Sequence, residues 1–273
     1  MFPIGSAPLP TASAEFDARL CAGLVETLRP DAGVPQVASV LAADGRILSL
    51  DLGLTGLELR ARGLRTSRPA SLESTGELLS HTDDVVVRAR PIVVDGVPVH
   101  AEARVQGLVL GYRRDPDGQW WLGAEQPAAG ALSGRARLQT DLDTLEVGAL
   151  ALLGERVAAS GFTLTGAHLT ATCPDPRRVQ IEVEATIRRG PLRAVIIGSG
   201  SAAVGTDMVL RLSDLAVRSP SPLVAMALGT VRARLAPWEG HEIDLSALTF
   251  GSVGDVALAV QGRSMVLEAD LGR

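Results

Sequence analysis

Two long stretches of the chain alternate strictly between apolar and polar residues. Val97, Val99, Ala101, Ala103 and Val105 interleave with His100, Glu102, Arg104 and Gln106; Val179, Ile181, Val183, Ala185 and Ile187 interleave with Gln180, Glu182, Glu184, Thr186 and Arg188. A period of two places one residue set on each face of a strand, so these segments predict antiparallel sheet with one apolar and one wet face. Turn dipeptides separate such segments at Asp44-Gly45 and Asp95-Gly96, and longer turns are predicted at DPDG (115–118) and QGRS (261–264). The pattern reads as a meander of many strands.

Two segments break the alternation by one residue. In LSLDLGLTGLELRA (48–61), Leu48 to Leu54 alternate, and the phase moves across Thr55-Gly56 to Leu57, Leu59 and Ala61. In HEIDLSALTFG (241–251), Ile243 and Leu245 are two apart, as are Leu248 and Phe250, with the slip at Ser246-Ala247. One extra residue is what a β-bulge inserts, and bulges bend a sheet. The expectation is a strongly curved sheet wrapped around something apolar.

Three segments carry the helical period. Residues 14–29 space Phe16, Leu20, Leu24 and Leu28 four apart before Pro30; residues 141–157 begin with acidic side chains, which suit a helix N-terminus, and close near Arg156. Residues 222–236 follow a capping Ser221, with Pro222 at the first position and Val224, Leu228, Val231 and Leu235 in one stripe. The fold class expected from these elements is α+β, an N-terminal helix within residues 1–30 followed by a single curved-sheet body over 31–273. A β-barrel of the lipocalin type is the alternative.

Composition narrows the picture. Aromatic residues make up 3% of the chain, so the core rests on Leu, Val and Ala. Lysine and asparagine are absent and all 26 basic residues are arginine, a bias that AT-poor codon usage explains without invoking phosphate recognition. With a net charge of −5, nucleic acid is not an expected partner. Cys21 and Cys173 are far apart and lack metal-type spacing, so free thiols are expected. No run approaches the ~18 apolar residues of a membrane helix. The N-terminal MFPIGSAPLPTASAEF lacks a basic flank and is broken by prolines, so a cytoplasmic location is expected.

Motifs with chemical potential each have a plainer reading. GSGSAAVG (198–205) contains a formal Gly-x-Gly-x-x-Ala fingerprint, but an alternating segment follows it in place of a helix, so a hairpin loop is expected. Asp115 and Asp117 lack the later carboxylate of a calcium loop, and the four histidines are dispersed. The acidic pairs Asp83/Asp84, Asp141/Asp143 and Glu242/Asp244 suit turns, a helix start and a wet strand face. Tyr112, Trp120 and Trp121 bracket the DPDG turn as cross-strand packing, with an anchor or a pocket mouth as the other readings. No cofactor or metal is expected.

The segment IDLSALTFGSVGDVALAVQGRSMVLEADLG (243–272), with the helix start at Thr140-Asp141-Leu142, resembles the LmeA-like family of actinobacterial phospholipid-binding proteins. The resemblance covers about 140–272. It implies a TULIP-like fold, a long antiparallel sheet wrapped around a helix with an elongated apolar cavity, and a lipid or another long hydrophobic small molecule as ligand. By the same resemblance Ile243, Leu245, Leu248 and Phe250 are cavity or core lining. The stripe Val224, Leu228 and Val231 and the strand residues Val179, Ile181 and Val183 are further expected lining. A cofactor-free cyclase or isomerase acting on a hydrophobic polyketide-type substrate is the alternative function, and a fully packed interaction module is a third.

Overall fold

The structure, a computed structural model, describes residues 1–60, 73–125, 131–147, 158, 161–244 and 253–272. The protein is mostly β: seventeen strands and three sheets stand against a few short helices among the described residues, and none of the sheets closes into a barrel. This overturns the expected α+β arrangement of one long sheet wrapped around helices, and the barrel alternative with it. The physical reason is visible in the first helix, α1 (Ser13–Leu28). A helix enclosed by a sheet needs apolar residues around its circumference. Here Phe16, Leu20 and Leu24 are buried on one stripe while Ala14, Glu15, Ala18, Ala22 and Glu26 are exposed.

The chain forms two compact units, one comprising Met1–Leu138, Thr249–Asp255 and Ala269–Arg273, the other Gln139–Leu248 and Val256–Glu268. The helix expected within residues 1–30 falls inside the first unit and is not a separate piece. Its C-terminus is capped as Pro30 predicts: Arg29 adopts φ +46° and its N–H donates to the Val25 carbonyl.

In the first unit, β1 (Phe2–Gly5), β9 (Trp120–Glu125), β8 (Val109–Arg114) and β5 (Glu73–His81) form a four-stranded sheet in that order. A second sheet runs β2 (Gln36–Leu41), β3 (Ile47–Gly53), β6 (Asp84–Val94), β7 (Val97–Gln106) and β10 (Ser133–Asp141). The core joins Ile4, Phe16, Leu20 and Leu24 to Ile47, Leu50, Val85, Leu110, Tyr112 and Leu122. Two buried polar side chains there are paired: Ser80 Oγ accepts the Ile47 N–H, and Thr82 Oγ1 donates to the Leu108 carbonyl.

The phase slip at Thr55-Gly56 is not a bulge within one strand. β3 and β4 (Glu58–Leu59) are separate segments lying parallel to the same strand, β6, with Leu50 opposite Val85 and Glu58 opposite Val93. The turn between them, with Gly56 at φ +79°, sits where β6 changes register against β7 between Ala89 and Ile92. The two irregularities face each other, and Leu54 N–H to Arg88 O and Val93 N–H to Leu57 O bonds bridge them.

The second unit carries a five-stranded antiparallel sheet: β11 (Thr163–Asp175), β12 (Arg178–Arg189), β13 (Leu192–Val204), β14 (Val209–Arg218) and β15 (Glu242–Asp244). GSGSAAVG therefore lies within and just after β13 and is no hairpin loop, which corrects the loop expectation. The single helix expected over 222–236 is two short ones, α2 (Pro222–Ala227) and α3 (Gly229–Leu235), broken where Leu228 meets Gly229. Glycine at that point removes about 1 kcal/mol of helix propensity, enough to decide a marginal segment. The helical segment expected over 141–157 is described over 142–147, capped by Asp141 Oδ1 accepting the Asp143 and Thr144 N–H groups. β16 (Val253–Gln261) and β17 (Ser264–Leu271) form the closing hairpin through the expected turn.

Side chains take up backbone groups on β11, the outer strand, and on the stretch of β14 beyond its pairing with β15. On β11, Glu146 Oε2 accepts the Leu169 N–H (2.9 Å) while Arg263 donates to the Leu169 carbonyl (3.1 Å). On β14, Glu239 accepts from the Asp214 N–H (3.0 Å) and the Leu215 N–H (2.8 Å), and Arg232 Nε donates to the Val217 carbonyl (3.0 Å). An acid and an arginine thus stand at each of these two places, where they disfavour pairing with another strand.

Candidate functional site

The antiparallel register of the second unit builds one apolar face from four strands. Leu169 stands opposite Val183, which stands opposite Gly198, which stands opposite Val217. One row further along the face, Ala171, Ile181 and Gly200 align, and Leu215 leans over Gly200 from β14. The next row holds Val179, Ala202 and Leu212. Each row is large on β12 and β14 and small on β13.

The consequence is a trough along β13. Its floor is Gly198, Gly200 and Ala202, and its walls are Val179, Ile181 and Val183 on one side and Leu212, Leu215 and Val217 on the other. Strand geometry makes the floor about 13 Å long and sets the walls about 10 Å apart, backbone to backbone. Ile196 and Val204, on the same face, bound the two ends. Ile181, Val183, Leu212, Leu215 and Val217 all retain partial exposure. At Gly198 the position of a Cβ meets only the Val183 carbonyl oxygen, at 3.9 Å, so the floor there is open; at Gly200 it lies 2.8 Å from Leu215 Cδ2.

A β-bulge shapes the second wall. Leu210 and Leu212 alternate, and Asp214, at φ +58°, shifts the phase so that Leu215 and Val217 face the same side. Asp214 is fixed by Ser201 Oγ (2.6 Å), Ser213 Oγ (3.2 Å) and Arg178 (2.9 Å). The Ser201 hydroxyl, followed by those partners, holds this carboxyl below its ordinary range. A carboxylate so stabilised is a poor base, so Ser201 gains no activation from it.

The structure distributes the expected lining residues unevenly. Val179 is buried, and Ile181 and Val183 pack beside it against Leu142, Leu169, Ala171 and Leu258. Leu228 is buried in the break between α2 and α3, and Val224 is half-buried in α2. Val231 lies in α3, and Ile243 pairs in β15 opposite Leu210, with their side chains outside the description; Leu245, Leu248 and Phe250 lie outside the described residues. The sequence reading missed Gly198, Gly200, Leu212, Leu215 and Val217. The available signal was the common parity of Ala194, Ile196, Gly198, Gly200, Ala202 and Val204, which continues a strand through the glycines.

Elsewhere the plainer readings account for the motifs. Asp115 closes its hairpin by accepting the Gln119 N–H and the Trp121 Nε1–H (both 2.8 Å), and the tryptophan bond, first among its partners, lowers the carboxyl. Trp121 and Tyr112 are buried and cross-strand from Arg113 and Leu122. All four histidines are exposed, and both cysteines are free. On the first unit, Ala38, Val40, Asp51, Asp84, Arg88 and Arg104 outline an open groove of about 310 Å³. Its charges neutralise one another, Arg88 on Asp51 and Arg104 on Asp84. Among the described residues no helix is long and apolar enough to cross a membrane.

The fold and face thus define a mostly-β protein with an aliphatic sheet trough. Comparison of the chain with family models, with curated proteins and with solved structures finds no match in any of the three.

Proposed function

We propose that the protein binds a lipid or another long hydrophobic small molecule, with the trough along β13 as the seat of its chain. The observation that carries this reading is the large–small–large order of the rows, which leaves the floor open at Gly198 between two aliphatic walls that, Val179 apart, are only part-buried. Gly198 and Gly200 weaken a strand interior, and a strand keeps such residues where another body approaches its backbone. The spacing of the walls suits a single alkyl chain. Each methylene buried there contributes about 0.8 kcal/mol before ordering costs are subtracted. Floor and walls consist of hydrocarbon and glycine alone, with no carboxylate, imidazole, guanidinium or hydroxyl to move a proton, which favours binding over the cyclase alternative. The resemblance of residues 243–272 to the LmeA-like family supports the same ligand class.

The test is a thermal-stability titration of delipidated protein with saturated fatty acids and fatty alcohols of increasing length, accompanied by native mass spectrometry of the undelipidated preparation. A ligand that binds only the folded state raises the transition by mass action. A rise that grows with chain length and levels off once the trough is filled is expected. A transition that none of these ligands moves, with no retained apolar molecule, removes the proposal.

A further inference from the structure

The hairpin of β12 and β13 ends in the sequence Arg188-Arg189-Gly190-Pro191-Leu192-Arg193. Its loop is the pair Gly190 and Pro191, with Gly190 at φ +58° and the proline ring fixing the next φ, so the tip is rigid. Arg188 stands directly opposite Arg193, and Arg189 opposite Leu192. All of these residues are exposed, Leu192 to 59%. The arginines therefore occupy both faces of the ribbon around an apolar Pro-Leu tip.

The charge at this tip is uncompensated. Like charges directly opposite in an antiparallel pair destabilise it, and elsewhere on this sheet arginine meets acid: Arg178 pairs with Asp214, Arg211 with Asp207 and Glu242, and Arg218 with Glu182. Arg188, Arg189 and Arg193 have no acidic partner among the described residues, and the stretch from Ala185 to Thr206 contains neither aspartate nor glutamate. Two of the three are nonetheless held in place. Arg188 Nε donates to the Gly190 carbonyl (2.9 Å), and the Arg189 guanidinium lies over the Phe162 ring, 5.5 Å from its centroid. A guanidinium stacked by its face keeps its N–H edge free, and one bonded through Nε still offers both terminal nitrogens, so each presents donors to an anion at little ordering cost.

We propose that this hairpin docks the protein on an anionic lipid surface, with Pro191 and Leu192 entering the headgroup layer and Arg188, Arg189 and Arg193 bonding lipid phosphates. The guanidiniums around an exposed aliphatic tip carry the choice of partner. Cations draw the tip to a negatively charged leaflet, and Leu192 leaves water only where the charged layer has hydrocarbon beneath it. A nucleic acid would match the arginines and leave Leu192 in water, and a patch confined to one turn spans few of its phosphates. The bias toward arginine is chain-wide, but the lack of acids here is local, and a chain of net charge −5 is otherwise repelled by such a surface. The hairpin lies at the Ile196 end of the trough, yet its docking does not depend on a chain bound there.

The experiment is co-sedimentation of the full-length protein with vesicles of phosphatidylcholine alone and of equal parts phosphatidylcholine and phosphatidylglycerol. Binding to the mixed vesicles and not to the neutral ones is expected, weakening as salt is raised. R189Q/R193Q should lose roughly thirtyfold in partitioning, at about fivefold per arginine near an anionic leaflet. R46Q/R60Q removes two arginines of the first unit, each paired with an acid, and should bind like the unaltered protein. L192S should weaken binding several-fold through the apolar half of the tip. Failure to bind the mixed vesicles, equal binding to both kinds, unchanged binding by R189Q/R193Q or L192S, or an R46Q/R60Q variant that weakens as much as R189Q/R193Q overturns the proposal. Displacement of the vesicles by single-stranded DNA at equal phosphate concentration assigns the hairpin to nucleic acid and overturns it as well. Should a hairpin variant fail to fold, the salt dependence of the unaltered protein decides, and vesicle binding that salt leaves unchanged is the refuting result. G198V, which fills the trough, should dock as before, so loss of fatty-acid binding and loss of docking are read separately.

Discussion

Gly198→Val separates a binding trough from an unfilled gap. The residue has no positive φ, and a Cβ added to it touches only the Val183 carbonyl oxygen at an ordinary 3.9 Å, so the backbone accepts a β-branched side chain without strain. Removing glycine from a strand interior stabilises by about 0.5–1 kcal/mol, and half-burying a valine on an aliphatic face adds about 1 kcal/mol. The variant should thus be stabilised by about 1.5–2 kcal/mol, a rise of roughly 4–6 °C in the transition of the second unit. The two new methyl groups fill the floor where a bound chain would lie. Displacing two to three methylenes costs the ligand about 2 kcal/mol, or roughly thirtyfold in affinity. Urea denaturation and ligand titration of the same preparations give both numbers. A variant that is stabilised and still binds as before would remove the trough as the site, and one that is destabilised would show that the floor is already packed.

Two further outcomes follow from the packing and the charges. Gly23 in α1 is the converse of Gly198, because a Cβ there would lie 1.9 Å from the Pro3 carbonyl oxygen. G23A, which in an open helix would gain about 1 kcal/mol, should instead destabilise by about 2 kcal/mol or more, and a stabilised variant in urea would refute the α1–β1 packing. Asp207 is held near pKa 2 against an ordinary 3.8, chiefly by bonds from Arg211 and then by the Val209 N–H. Its contribution to folding is accordingly complete above pH 3.8 and fades as pH falls through 2. An NMR titration of its carboxyl should show the low midpoint, R211Q should raise it, and a midpoint of 3.8 in the unaltered protein would contradict the pairing.

Local structure was the legible part of this chain. The four-residue spacing of Phe16, Leu20 and Leu24 found α1 and its buried stripe, and Asp95-Gly96 and DPDG found their hairpins. Strand partnering was not legible, because alternation tells which face a residue occupies and nothing about which strand lies alongside. A meander was expected, yet β3 runs parallel to β6, and β5 leaves for another sheet. The trough was hidden for a related reason. Gly198 and Gly200 look like a loop in one dimension, and only the register that sets them between Val183 and Val217 shows them to be a floor. At 222–236 the apolar stripe predicts one helix, yet the single glycine at 229 outweighs the stripe in so short a segment.

The ion pairs on the exposed faces, Arg88 with Asp51, Arg104 with Asp84, Arg178 with Asp214 and Arg211 with Asp207, share a property that follows from the absence of lysine. A guanidinium keeps its proton beyond about pH 12, where an ammonium has long since lost it. Alkali therefore discharges none of these pairs across the range in which lysine-based surfaces neutralise, and Tyr112, whose hydroxyl burial pushes far above the usual phenol range, stays silent too. The alkaline limb of the stability curve should be nearly flat, and reagents that acylate side-chain amines will find none to modify.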